Sequence, residues 1–257
     1  MTKTAIIVQA RFASTRLPGK VLLDLCGETV LAHVLKRCLA AELADVVCCA
    51  TTDKDNCDAI AIEATRAGAV VFRGSEHDVL DRYYQAAKYV EADEIMRVTS
   101  DCPLIDPSIC DDVIRLRREA DVGYASNEIP PSWPHGLDCE VFTFDWLEKA
   151  AQEAQKPSER EHVTLYIREH PEIKTANLDG PGGNCIDHRW TLDTPQDLDF
   201  FRGLFPLLPE GIERYDYRTI LSIVEAHPEI VALNSGQDRY AGLKKSLKED
   251  LEHSNFT

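Results

Sequence analysis

Residues 11–20 read Arg11-Phe12-Ala13-Ser14-Thr15-Arg16-Leu17-Pro18-Gly19-Lys20 and follow the apolar run Ala5-Ile6-Ile7-Val8 almost directly. Three cations, small residues and a Pro-Gly turn share this stretch with no acid. Arginine offers a planar fork to phosphate oxygens and lysine a mobile point charge. Ser14, Thr15 and Gly19 let the backbone approach a ligand closely. The chemistry these residues suit is the holding of a polyphosphate, although a solvated basic loop has the same composition. The stretch is neither a G-x-x-x-x-G-K-[ST] loop nor a G-x-G-x-x-G turn.

Two acids stand at comparable places further along. Asp101 lies in Ser100-Asp101-Cys102-Pro103 and Asp193 in Leu192-Asp193-Thr194-Pro195, each after a predicted strand. Either is also a turn former or helix cap. Taken together beside a phosphate loop, they could hold Mg²⁺, which binds through one or two carboxylates plus substrate phosphates. Ser158-Glu159-Arg160-Glu161-His162-Val163-Thr164 fits a charged helix start with a capping box and equally a substrate contact. In Gly136-Leu137-Asp138-Cys139-Glu140-Val141-Phe142, acids alternate with apolar residues as on a half-exposed strand. Asp138 and Glu140 are there either solvated or available to a polyhydroxyl ligand. His77–Tyr84 reads as an amphipathic helix with Asp78 near its positive end.

Elements that position these residues are legible from period and length. Strands are predicted at 5–8, 46–50, 69–72 and 94–98, short continuous apolar runs suited to burial on both faces. Helices are predicted at 28–43, after Asp53 through about Ala67, at 78–91 and from Pro107. This alternation predicts a largely parallel sheet wrapped by helices. Strand-like pieces occupy 121–145, helices 145–155 and 159–169, a strand 188–192, and helices 195–207 and 216–226. Residues 1–234 read as one domain and 235–257 as a polar tail with a helix at 239–251. In an open α/β sheet ligands bind outside the carboxyl ends of the strands, and 9–20, 51–53, 99–104 and 191–195 all fall there.

The 257 residues are 44% apolar, enough for a sizeable core, and carry a formal charge of −16. That balance argues against a nucleic-acid partner, which needs a basic face. Nine cysteines, an odd number without C-x-x-C spacing, read as free thiols of a reducing, cytoplasmic compartment. No signal peptide is legible, and no apolar run approaches the ~20 residues of a membrane span.

Gln9-Ala10-Arg11-Phe12-Ala13-Ser14-Thr15-Arg16-Leu17-Pro18-Gly19-Lys20 closely resembles the nucleotide loop of 3-deoxy-manno-octulosonate (Kdo) cytidylyltransferases and, more distantly, that of acylneuraminate cytidylyltransferases. Ala50-Thr51-Thr52-Asp53 is similar to that family's second strand end, Ser100–Leu104 to its first metal-binding aspartate segment, and Leu192–Leu198 to its second. Asp78–Ala87, Gly136–Phe142 and Arg160–Thr164 resemble the spore coat polysaccharide biosynthesis protein F branch. Between 73 and 85 the chain differs from the Kdo enzymes: Gly74–Asp81 stands in place of their Q-S-G-T-E-R segment.

The resemblance implies a Rossmann-like nucleotidyltransferase fold, with a mostly parallel mixed sheet and helices on both faces. It implies transfer of CMP from CTP to a sugar acid of sialic, Kdo or related nonulosonic type, with release of pyrophosphate. Arg11, Lys20 and Asp101 would be catalytic. Gln9, Ala10, Arg11, Ser14, Arg16, Lys20, Asp53 and Ser100 would bind the nucleotide, Asp101 and Asp193 would hold Mg²⁺, and Asp138, Glu140, Arg160 and His162 would line the acceptor pocket. Such enzymes are commonly homodimers. A sugar-nucleotide-dependent glycosyltransferase on a similar fold and a non-catalytic nucleotide-binding protein are the competing readings. The single acid of Ser-Asp-Cys, where a glycosyltransferase usually carries D-x-D, counts against the first.

Overall fold

A computed structural model describes residues 2–14, 16–211 and 215–254. Thr15 of the basic loop lies outside them. The chain runs β1 (Thr4–Gln9), β2 (Asp24–Leu25), β3 (Glu28–Thr29), α1 (Val30–Leu39), β4 (Val46–Thr52), α2 (Asp58–Arg66), β5 (Val70–Gly74), α3 (Val79–Tyr89), β6 (Glu94–Thr99) and α4 (Pro107–Glu119). There follow β7 (Tyr124–Ser126), β8 (Glu140–Thr143), α5 (Phe144–Glu153), α6 (Pro157–Glu161), α7 (Leu165–Glu169) and β9 (Thr175–Asn177). The last elements are α8 (Pro195–Leu204), α9 (Tyr217–Glu225), α10 (Pro228–Val231) and α11 (Ala241–Ser254).

Seven strands form one sheet in the order β5-β4-β1-β6-β8-β7-β9, and β2 and β3 form a separate hairpin. β5, β4, β1 and β6 are parallel, as are β7 and β9, while β8 runs antiparallel between β6 and β7. Successive side chains of a strand point to opposite faces, and the two cores divide accordingly. Ile6, Val8, Val47 and Cys49 join α1, α2, α4, α8, α9 and α10 on one face. Ala5, Ile7, Cys48 and Ala50 join α3, α5 and α7 on the other. This division explains why these strands read as unbroken apolar runs. All nine cysteines are free and eight are buried; burial pushes the Cys48 thiol up to about 12, so it behaves as a small hydrophobe.

Two elements differ from their sequence pattern. The predicted helix 159–169 is two short helices, because Val163 takes a left-handed φ of 55°. This conformation is costly for a β-branched residue. It turns the Thr164 hydroxyl onto Glu140 Oε1 at 2.6 Å. The predicted strand 188–192 is extended but makes only an isolated bridge, His135 with Arg189. There the His135 N–H donates to the His188 carbonyl and the Trp190 N–H to the His135 carbonyl. The chains are so close that a Cβ on Gly136 would lie 2.3 Å from the Trp190 carbonyl oxygen, and Gly136 has φ 114°. Strand β9 carries too little apolar pattern to be read in advance. Within 235–257, α11 packs against α6 and buries Ser246 and Asp250.

Candidate active site

The carboxyl ends of β1, β4 and β6 lie side by side. The Ser100 N–H donates to the Gln9 carbonyl at 3.3 Å and the Ala10 N–H to the Ala50 carbonyl at 3.2 Å, tying the three ends together. Gln9 Oε1 is buried among them without a hydrogen-bond partner within the described residues. Asp53 lies at the end of β4 with its side chain exposed and its N–H on the Gly74 carbonyl.

The basic loop leaves β1 and turns back at Gly19, whose φ of 68° opens a short 3-10 turn at Lys20–Leu22. Ser14 Oγ accepts from the Leu17 N–H within the loop. The turn directs Lys20 inward, and its Nζ lies 2.7 Å from Asp101 Oδ2 and 2.8 Å from Asp193 Oδ1. Burial alone would lower the Lys20 pKa, but the two carboxylates outweigh it and raise it. Burial would likewise raise the Asp101 carboxyl, yet the Lys20 ammonium holds it well below the usual carboxylate range. Arg16 reaches the same Asp193 oxygen at 3.1 Å, while Arg11 points to Glu161 at 3.7 Å. The loop thus divides its cations, with two on the aspartate pair and one toward α6.

Backbone contacts bring the two aspartates together across the chain. The Asp101 carbonyl accepts from the Leu192 N–H at 2.8 Å and from the Thr191 hydroxyl at 3.3 Å. Asp193 is fixed by the start of α8, where Asp197 accepts from the N–H groups of Asp193 and Thr194 in a capping box. Asp197 is fully buried and paired with Arg189, Nε to Oδ1 at 2.8 Å and Nη2 to Oδ2 at 3.0 Å. Arg189 also reaches Asp193 Oδ2 at 3.3 Å. Neither Arg189 nor Asp197 was singled out by sequence. The available signal was an arginine four and eight residues before two acids.

The four residues expected at an acceptor pocket have four different settings. Glu140, expected on a half-exposed strand, is 1% exposed. It is held by Arg97 at 2.6 Å, the Tyr124 hydroxyl at 2.7 Å and the Thr164 hydroxyl. Asp138 accepts from the Gly136 N–H and pairs with Arg239 at 2.5 Å. His162, kept below its ordinary value chiefly by burial, bonds Ser246 Oγ at 2.9 Å. Arg160 is engaged elsewhere: its Nη2 lies 2.6 Å from Asp78, the N-cap of α3, and its Nη1 donates to the carbonyls of Ala151 and Ala154.

Beside Glu140 the structure opens a cavity of about 410 Å³ lined by Tyr124, Ser126, Glu128, Arg168, Asn177 and Tyr240. The register Arg97↔Glu140↔Ser126 puts it on the sheet edge that also presents Asp101, about 10 Å or two strand spacings from β6. Arg168 meets Glu128 at 3.5 Å and Glu140 at 3.9 Å, contacts too long to satisfy its N–H groups. Burial and the neighbouring Glu140 and Asp138 push the Glu128 carboxyl up to about 8. Arg97 is the member with a sequence signal, a charge inside the apolar strand Glu94–Thr99; Glu128 and Arg168 have none.

A parallel sheet with one reversed strand, and a cation-lined cluster at its strand ends, define a nucleotidyltransferase of Rossmann-like fold. The chain belongs to the cytidylyltransferase family, whose sequence model matches residues 5–216. It is 33% identical to the spore coat polysaccharide biosynthesis protein SpsF of Bacillus subtilis over 214 residues, 80% of this chain and 87% of that protein. Similarity to the 3-deoxy-manno-octulosonate cytidylyltransferase of Geobacter metallireducens is 37% identity over 115 residues, 44% of this chain and 43% of that enzyme. A solved cytidylyltransferase of Leptospira borgpetersenii serovar Hardjo-bovis superimposes with a TM-score of 0.85 at 31% identity, covering 93% of this chain and 99% of that one. The family resemblance read from the basic loop and from the segments at 78–87, 136–142 and 160–164 is thereby borne out. Among the described residues no helix is long and apolar enough to cross a membrane.

Proposed function

We propose that the enzyme transfers CMP from CTP to a hydroxyl of a sugar acid and releases pyrophosphate. The observation that carries this reading is the convergence of Lys20, Arg16, Asp101 and Asp193 at one point of the strand-end cleft. The acceptor oxygen forms a bond to the α-phosphorus, the bond from that phosphorus to the bridging oxygen breaks, and the hydroxyl proton is released. Bringing two anions together is the main barrier, and positioning plus electrostatics lower it. Arg11, Arg16 and Lys20 supply the cations, and Gln9, Ala10, Ser14 and Ser100 border the nucleotide, with the unpartnered Gln9 Oε1 available to it. Asp53 borders this cleft at the end of β4.

Among the described residues no group of three or more His, Cys, Asp or Glu is placed to hold a metal. Two carboxylates already sharing one ammonium nevertheless suit a Mg²⁺ ion whose remaining ligands are water and phosphate. Asp101 and Asp193 would hold it, and Mg²⁺ so bound withdraws charge from the phosphate oxygens. On the acceptor side, Arg168 lines the cavity with only long ion-pair contacts to Glu128 and Glu140, and is suited to a carboxylate. Asp138, Glu140 and His162 shape its surroundings, and Arg160 holds α6 in place.

The test is pyrophosphate release with each of the four ribonucleoside triphosphates, Mg²⁺ and a panel of Kdo, N-acetylneuraminic acid and a 5,7-diamino nonulosonic acid, with the nucleotide product identified. CMP-sugar formation with CTP is expected. Release of a nucleoside diphosphate from a sugar nucleotide, or silence with every acid, would overturn the reading.

A further inference from the structure

The family match ends at residue 216, yet the chain beyond it returns to the acceptor side at four places. Arg239 Nη2 lies 2.5 Å from Asp138 Oδ1, and its Nη1 donates to the Trp133 carbonyl at 3.1 Å. Tyr240 forms part of the wall of the 410 Å³ cavity together with Glu128 and Arg168. On α11, Ser246 Oγ bonds His162 Nε2 at 2.9 Å and donates to Glu161 Oε2 at 2.8 Å. Asp250 accepts from the Ser158 N–H at 3.0 Å. Trp133 apart, these partners belong to the two segments, 136–142 and 158–164, that meet at Glu140 beside the cavity. They form no part of the Lys20–Asp101–Asp193 cluster.

We propose that the segment Arg239–Asp250 completes the acceptor site, with Tyr240 as a wall of the pocket and Arg239 as a positioning residue that holds Asp138. The inference rests on the sugar-acid reading above. Arg239 is 15% exposed at its side chain and neutralises Asp138, an acid whose charge acts on Glu128 in the cavity wall. Tyr240 contributes a rigid apolar face with a polar tip, the kind of surface that discriminates ring substituents by shape. Acceptor choice would thus be set partly by residues outside the family-wide nucleotide machinery. A purely structural strap would instead support both substrates alike.

The experiment uses the full chain and three variants, Arg239→Ala, Tyr240→Ala and Tyr240→Phe. Pyrophosphate release is followed with CTP, Mg²⁺ and each acid of the same panel, and thermal melts are recorded. Arg239→Ala and Tyr240→Ala should raise the acceptor KM at least about fivefold while the KM for CTP stays within about twofold, a loss of binding specific to one substrate. Tyr240→Phe should restore most of that loss. An unchanged acceptor KM overturns the inference alone. So does a parallel rise of both KM values with a lowered melting temperature. A wild-type enzyme silent with every acid overturns the sugar-acid reading and this inference with it.

Discussion

Removing the Lys20 side chain takes one cation away from two carboxylates at once. Lys20→Ala should slow nucleotidyl transfer at least about tenfold, or about 1.4 kcal/mol in the barrier, as read by pyrophosphate release. It also leaves Asp101 and Asp193 facing each other without the ammonium that now lies between them. Added Mg²⁺ should therefore raise the melting temperature of Lys20→Ala more than that of the wild type. Equal shifts would show that the pair does not take the metal. Asp101→Asn should remove most metal-dependent turnover; an unchanged Mg²⁺ titration would exclude Asp101 as a ligand. These residues were legible because strand-end acids and a cationic loop have few structural uses in common. Their meeting was not, since Lys20 and Asp193 are 173 positions apart and no local pattern encodes that distance.

At the scale of elements, the start of α8 depends on a buried ion pair. Asp197 caps the helix, orients Asp193 and is balanced by Arg189. Removing one partner of such a pair leaves an uncompensated charge and costs about 3–5 kcal/mol. Arg189→Ala should accordingly lower the urea midpoint, and it should reduce turnover because Asp193 loses a neighbour. A variant as stable as the wild type would show that the remaining donors to Asp197 suffice. Helices α1, α3, α4 and α9 were legible because each buries one stripe of regularly spaced apolar residues. The break at Val163 was not, since Val163, Tyr166 and Ile167 continue a helical period across it. The stretch 188–192 has strand composition but, among the described residues, forms a β-bridge only at His135, so composition alone overstated it.

For the whole molecule, the acid-rich pocket couples stability to pH. Glu128 lies among Glu140, Asp138, Arg97, Arg168 and Tyr124, and its carboxyl is raised from 4.5 to about 8. A raised acid keeps its proton in the folded state where the unfolded chain has released it. Its contribution is thus fully present below about 4.5 and is lost as pH rises toward about 8. The wild type should melt lower at pH 9 than at pH 6. Glu128→Gln, which mimics the protonated acid, should narrow that gap by several degrees, at roughly 2–4 °C per kcal/mol for a chain of this size. Superimposable pH profiles of the two proteins would remove Glu128 as the source.

The reversed strand β8 has a consequence of another kind. The chain leaves the sheet at the end of β7 and re-enters at the start of β8 on the same edge, on neighbouring strands about 5 Å apart. Residues 127–139, which include Glu128 and Asp138, therefore form a cassette with both ends on one side of the molecule. Exchanging it would re-thread no strand, provided that Trp133, Leu137 and Cys139, which pack into the core, were kept. The least buried part of this loop, residues 129–132, can therefore vary in length and sequence without moving β7 or β8.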